Sequence, residues 1–119
     1  IFDTNTLRQG LEKMRVHRYT AIPVINGNGQ YVGTVSEGDF LYYLLDLRNN
    51  PNITAEKEKH RVSDILRRDF NPAVRVDVEM DELLQRSLHQ NFVPVVDDWG
   101  TFIGIVTRQD IIKYFISQK

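Results

Sequence analysis

Apolar and polar positions along the 119-residue chain follow two different periods, and each change of period marks an element. Over residues 6–16, Leu7, Leu11 and Met14 recur at i, i+4 and i+7, which predicts a helix with one inward face. Residues 21–25 form a short apolar run and predict a strand. Asn26-Gly27-Asn28-Gly29 predicts a hairpin turn, because asparagine and glycine tolerate positive φ. Residues 30–35 return as a second strand, and the amphipathic run that follows predicts a helix from Ser36 to about Leu47. Arg48-Asn49-Asn50-Pro51-Asn52 is a breaker cluster, and the charged run from Glu56 to Arg61 continues it as a surface connection, with helical character toward Ser63-Asp64-Ile65-Leu66. Beyond Asn71-Pro72 the plan is a strand over 73–76, a helix over 81–89 with Leu84 and Leu88 on one face, and a strand over 92–96. A turn at Asp97-Asp98-Trp99-Gly100, a strand over 101–106 and a last helix from Thr107 complete it.

The second half of this plan repeats the first. At a constant offset of 71 positions, Ile22-Pro23-Val24-Ile25-Asn26 falls on Val93-Pro94-Val95-Val96-Asp97. The same offset carries Gly29 to Gly100, Gly33 to Gly104, Ser36 to Thr107, Asp39 to Asp110 and Tyr43 to Tyr114. An ungapped match with glycine and proline punctuators in register marks a duplication. Ile1-Phe2-Asp3 is read as the remnant of a strand matching 73–76. The loop between helix and strand is shorter in the second copy. Each helix-hairpin-helix unit is too small to bury its apolar face alone, so the expectation is two halves packed sheet to sheet under a pseudo-two-fold, with helices outside. Any site in one half then has a counterpart in the other.

The chemistry concentrates where strand turns into helix. In both copies the apolar run ends on a hydroxyl residue, Ser36 or Thr107, placed to cap the helix, and an aspartate, Asp39 or Asp110, follows three positions later. A helix start offers unpaired N–H groups and partial positive charge, which suits a phosphate. A first-turn carboxylate can accept two hydrogen bonds from a vicinal diol. The same spacing also describes a capping box, in which the acid folds back on the N–H of its own cap. Pattern alone does not separate these readings.

The two "IPVIN/VPVVD" strands, the glycine after each turn and the Gly-x-Val-Ser/Thr-x-x-Asp run in both copies resemble the CBS domain pair, named after cystathionine beta-synthase and also called the Bateman module. The resemblance covers essentially the whole chain. It implies an α/β (α+β) fold of tandem β-α-β-β-α repeats, with residues 1–48 as the first unit, 49–70 as linker and 71–119 as the second. It further implies an adenosine-containing ligand such as AMP, ADP, ATP, S-adenosylmethionine or a cyclic dinucleotide, held in clefts between the halves. By resemblance Ser36 and Thr107 contact a phosphate, Asp39 and Asp110 take the ribose diol, and pairs stack into disc-shaped homodimers. Pro23 and Pro94 interrupt their strands and predict strand edges; an edge lacking an N–H leaves room for an adenine base, which makes Ala21, Ile22, Val93 and Val74 candidate cleft walls. Arg108 is a candidate phosphate partner opposite acidic Glu37 in the other copy, so the two clefts are expected to differ.

Composition narrows the alternatives. Lys+Arg 15 against Asp+Glu 16 argues against a nucleic-acid surface built on excess positive charge. The absence of cysteine removes thiolate and disulfide chemistry and fits a cytoplasmic protein. No apolar run approaches the ~20 residues of a membrane span, and no signal peptide is legible. The chain starts at Ile1 without a methionine and is read as trimmed from a larger protein, with an effector domain or partner elsewhere. His17, His60 and His89 share no metal-ligand spacing. Trp99 is the odd aromatic, either covering its hairpin or anchoring a partner, and Phe40, Tyr42, Tyr43, Tyr114 and Phe115 divide between core and a dimer face. The resulting expectation is a non-catalytic regulatory sensor with no obligatory cofactor. Its rivals are a dimerisation module with non-functional clefts and, more remotely, a nucleotide hydrolase using Asp39 or Asp110.

Overall fold

The computed structural model describes residues 1–49 and 60–117. The order is α1 (Leu7–His17), β1 (Ala21–Ile25), β2 (Tyr31–Ser36), α2 (Glu37–Asn49), a 3-10 turn (Val62–Asp64), β3 (Val74–Arg75), α3 (Met80–Ser87), β4 (Phe92–Val96), β5 (Phe102–Thr107) and α4 (Arg108–Ser117). The breaker cluster and charged run of the linker fall largely on 50–59, outside the described residues. Packing divides the chain into two compact units, residues 1–28 with 32–70, and 29–31 with 71–119.

In the first unit α1 starts at Thr6 in a capping box: Thr6 Oγ1 accepts from the Gln9 N–H at 3.1 Å, and the Thr6 N–H donates to Gln9 Oε1 at 2.8 Å. It ends at Arg18 in the left-handed region (φ 57°), where the Tyr19 N–H reaches back to the Met14 carbonyl. The buried face is Leu7, Gly10 and Met14, whereas Leu11 is 42% exposed. The sequence pattern had placed Leu11 inward; the helix instead turns its glycine to the core, where a Cβ on Gly10 would stand 3.2 Å from both Phe40 and Val62. Leu7, Met14, Ile22, Val24, Val35, Phe40 and Val62 form this core, with Ile65 and Leu66 packed against it. Strands β1 and β2 pair, and Phe2 adds a parallel bridge to Ile25, the remnant strand expected at the chain start.

The end of the linker belongs to this core. Thr34 bridges Arg67 in antiparallel sense, its N–H donating to the Arg67 carbonyl at 3.4 Å. Gly33 makes the approach possible: at φ +154° a Cβ there would lie 2.7 Å from Leu66 and 2.8 Å from the Arg67 carbonyl. Gly33, Thr34 and Val35 are consequently buried.

The second unit has a three-stranded sheet in the order β3-β4-β5. Strand β3 runs parallel to β4 with Val74 opposite Val95, and β4 runs antiparallel to β5 with Val93 opposite Val106 and Pro94 opposite Ile105. Since β3 pairs only from Val95 onward, β4 is still an edge at Pro94, which is how a buried proline sits in a central strand. Its core is Val74, Leu83, Val93 and Ile111, with Val78, Met80, Val95, Val106 and Phe115 partly buried around it. Leu84 and Leu88, the face expected for α3, are 39% and 63% exposed; Leu83 points inward in their place. Residues 29–31 join this unit through the Phe102 N–H donating to the Gly29 carbonyl (2.8 Å), the Tyr31 N–H to the Gly100 carbonyl (3.1 Å) and the Tyr31 hydroxyl to the Asn71 carbonyl (2.7 Å). Trp99 does not cover its turn; it stands 77% exposed.

Candidate functional site: the two strand-helix junctions

The two junctions share one backbone plan. The first N–H of α2, on Glu37, donates to the Thr20 carbonyl at 3.0 Å, and that of α4, on Arg108, donates to the Asn91 carbonyl at 3.3 Å, again 71 positions on. These bonds lock the helix start beside the beginning of the preceding strand, so each hydroxyl-acid pair is delivered by a rigid corner.

Both junctions close as capping boxes. The Thr107 N–H donates to Asp110 Oδ2 at 3.0 Å, and the Asp110 N–H donates to Thr107 Oγ1 at 3.1 Å. The Ser36 N–H donates to Asp39 Oδ2 at 2.8 Å, the Ser36 hydroxyl to the same oxygen at 3.1 Å, and the Asp39 N–H to Ser36 Oγ at 3.4 Å. Each aspartate therefore spends Oδ2 on its own helix. What differs is Oδ1. In the second unit it has no hydrogen bond or ion pair among the described residues, and Asp110 is exposed. Hydrogen bonds from Thr107, backbone first and side chain second, hold the Asp110 carboxyl below its ordinary pKa.

In the first unit Oδ1 of Asp39 is taken by Arg67, whose Nε lies 2.8 Å away, with the Asp39 side chain only 12% exposed. Arg67 Nη2 also donates to Ser36 Oγ at 3.2 Å, and the guanidinium carbon lies 4.0 Å from the centroid of the Phe70 ring. Both members of the Ser36–Asp39 pair are thus engaged by the linker. At the 71-residue offset the position matching Arg67 falls outside the given sequence, so no periodic signal marks it.

The remaining candidate residues are placed as follows. Ile22 lies in the core of the first unit, Val74 and Val93 lie in that of the second, and Pro94 is buried, so these side chains are committed to packing. Ala21 and Pro23 are partly exposed on β1. Arg108 donates from Nε to the Ser87 carbonyl at 2.6 Å and from Nη2 to the Leu88 carbonyl at 3.4 Å, satisfying the C-terminal end of α3. It reaches a phosphate only by releasing those carbonyls. Outside that set, Arg75 is paired with Asp98, and Arg15 with Glu12 at 3.1 Å. Among the described residues no group of three His, Asp or Glu side chains could hold a metal ion. No helix among them is long and apolar enough to cross a membrane.

Duplicated sheet-and-helix units, each turning from strand to helix on a hydroxyl-acid pair, define a mixed α+β chain of tandem repeats. Residues 1–46 and 62–117 match the CBS domain, and the chain belongs to that family. It is 29% identical over 143 residues to an uncharacterised protein of Methanocaldococcus jannaschii, covering 98% of this chain and 84% of that one. Of two further relatives, from Methanopyrus kandleri and Methanocaldococcus jannaschii, it spans only 54% and 45% of the length. Among solved structures it resembles CbpB of Listeria monocytogenes in complex with c-di-AMP, at 25% identity and a TM-score of 0.82 over 100% of this chain and 89% of that one. It also resembles CBSX2 in complex with AMP, at 24% identity and a TM-score of 0.79 over 99% and 87% of the two chains, a likeness of fold.

Proposed function

We propose that this chain is a non-catalytic, regulatory CBS module that binds an adenosine-containing ligand at its strand-helix junctions, with residues 1–48 and 71–119 as the two CBS units. The observation that carries this reading is the second junction. Asp110 holds one carboxylate oxygen in its cap and keeps the other free among the described residues, which is what a ribose diol needs. Family membership and the AMP and c-di-AMP carried by similar folds supply the ligand class. In this reading the first junction offers Ser36 and the Gly38 amide to the phosphate, Asp39 to the ribose, and Ala21 with the backbone around Ile22 and Pro23 to the base; the second offers Thr107 and the Gln109 amide, Asp110, and the backbone around Val74, Val93 and Pro94 in the same roles. Arg108 joins only where phosphate charge repays the release of the α3 carbonyls. The ligand acts by favouring one of two arrangements of the protein over the other.

Thermal unfolding of the purified chain with AMP, ADP, ATP, S-adenosylmethionine and c-di-AMP tests the proposal. A ligand at ~100 times its Kd adds about 2.7 kcal/mol, a rise of several degrees. A chain that shifts with none of them is a module with silent junctions. That second reading has its own support: Leu84, Leu88, Ile112 and Ile116 stand exposed around a groove of about 530 Å³ between α3 and α4, an apolar surface suited to a second copy of the chain.

A further inference from the structure

We infer that Arg67 sets the ligand preference of the first junction, disfavouring uncharged nucleosides and favouring adenosine ligands whose own anion can take over the guanidinium. The inference rests on the proposed ribose role of Asp39. The oxygen that Asp110 leaves open is, on Asp39, held by Arg67 Nε at 2.8 Å, and the hydroxyl beside it receives Arg67 Nη2 at 3.2 Å. A ribose diol cannot reach Asp39 until this fork withdraws. The withdrawal breaks a charge-assisted bond to a carboxylate that is mostly shielded from water, and it removes the guanidinium from the Phe70 face. A bare nucleoside returns nothing to the displaced cation. A phosphate arriving at the start of α2 returns an anion with oxygens in the geometry a guanidinium favours. The side chain is about half exposed (49%), so it has room to turn outward. Its backbone anchor, the carbonyl bonded to Thr34, is independent of that movement. Nothing comparable faces Asp110 among the described residues.

The test isolates the first junction in an Asp110→Ala background and measures adenosine and AMP binding by calorimetry, with Arg67 intact and as Arg67→Ala. Arg67→Gln serves as a second variant that keeps side-chain bulk, and a thermal melt of each confirms folding. Removal of an ion pair of this kind should tighten adenosine by about fivefold. AMP should weaken or stay level, so that the preference for AMP over adenosine collapses. Equal tightening of both ligands would make Arg67 a simple plug and overturn the selectivity. Unchanged adenosine binding would overturn the obstruction itself. If the Asp110→Ala protein binds neither ligand while the parent chain binds AMP, the first junction is not a site: this inference fails and the proposed function stands on the second junction alone. Absence of binding in every protein, the parent included, removes both.

Discussion

Each junction aspartate gives one oxygen to its own cap, and the copies differ in what meets the other. Asp110 sits on the surface with its carboxyl held below the ordinary pKa by Thr107. A depressed folded-state pKa contributes stability above the unfolded value, near 3.8, and that contribution is lost as pH falls through the lower folded value. Asp110→Asn should therefore flatten the acid limb of stability below about pH 4, read as thermal midpoint against pH. An acid limb identical to the parent's would show that the Thr107 bonds do not persist in solution. Asp39→Ala removes a cap acceptor and the partner of Arg67 together, with an expected loss of about 1 kcal/mol in urea melts. A much larger loss would make the acid primarily a structural residue, as the capping-box reading holds. The hydroxyl-acid pairing itself was legible in the sequence because capping acts over three residues. Arg67 was not, since it reaches Ser36 across 31 positions.

At the scale of elements, the same strand is built into two surroundings. Strand β2 is covered by the linker end, so Gly33 must let Leu66 and the Arg67 carbonyl come close. A Cβ on its counterpart Gly104 in β5 would meet nothing within 4 Å among the described residues, and Ile103 and Ile105 beside it are 59% and 43% exposed. Gly33→Ala should cost about 1–3 kcal/mol in chemical denaturation, whereas Gly104→Ala should stay within about 0.5 kcal/mol. Comparable losses at both sites would mean that the linker contact is not what buries β2. Element positions could be read from periodicity, because period is set by local backbone geometry. Helix phase could not. Adjacent Leu83 and Leu84 offer α3 two apolar choices, and α1 turns inward a glycine that carries no hydrophobic signal at all.

For the whole molecule, the apolar groove on the second unit is the surface with a testable consequence. Leu88 and Ile112 are 63% and 57% exposed on its walls, so a charge there should leave the fold intact. If the chain pairs through this groove as proposed, Leu88→Glu should shift sedimentation from dimer to monomer with little change in thermal midpoint. A dimer unaffected by the substitution would place the contact elsewhere.

The sequence by itself determined the duplication, the order of strands and helices, and the hydroxyl-acid pair at each strand-helix corner. All of these follow from interactions between residues a few positions apart, and such interactions recur wherever the local sequence recurs. Only the tertiary structure showed what reaches Asp39 from outside its own helix. Leu66 and Arg67 come onto β2 and Asp39 through contacts between distant positions, which local periodicity does not mark. The two corners share their caps and differ in the neighbours described around the second carboxylate oxygen.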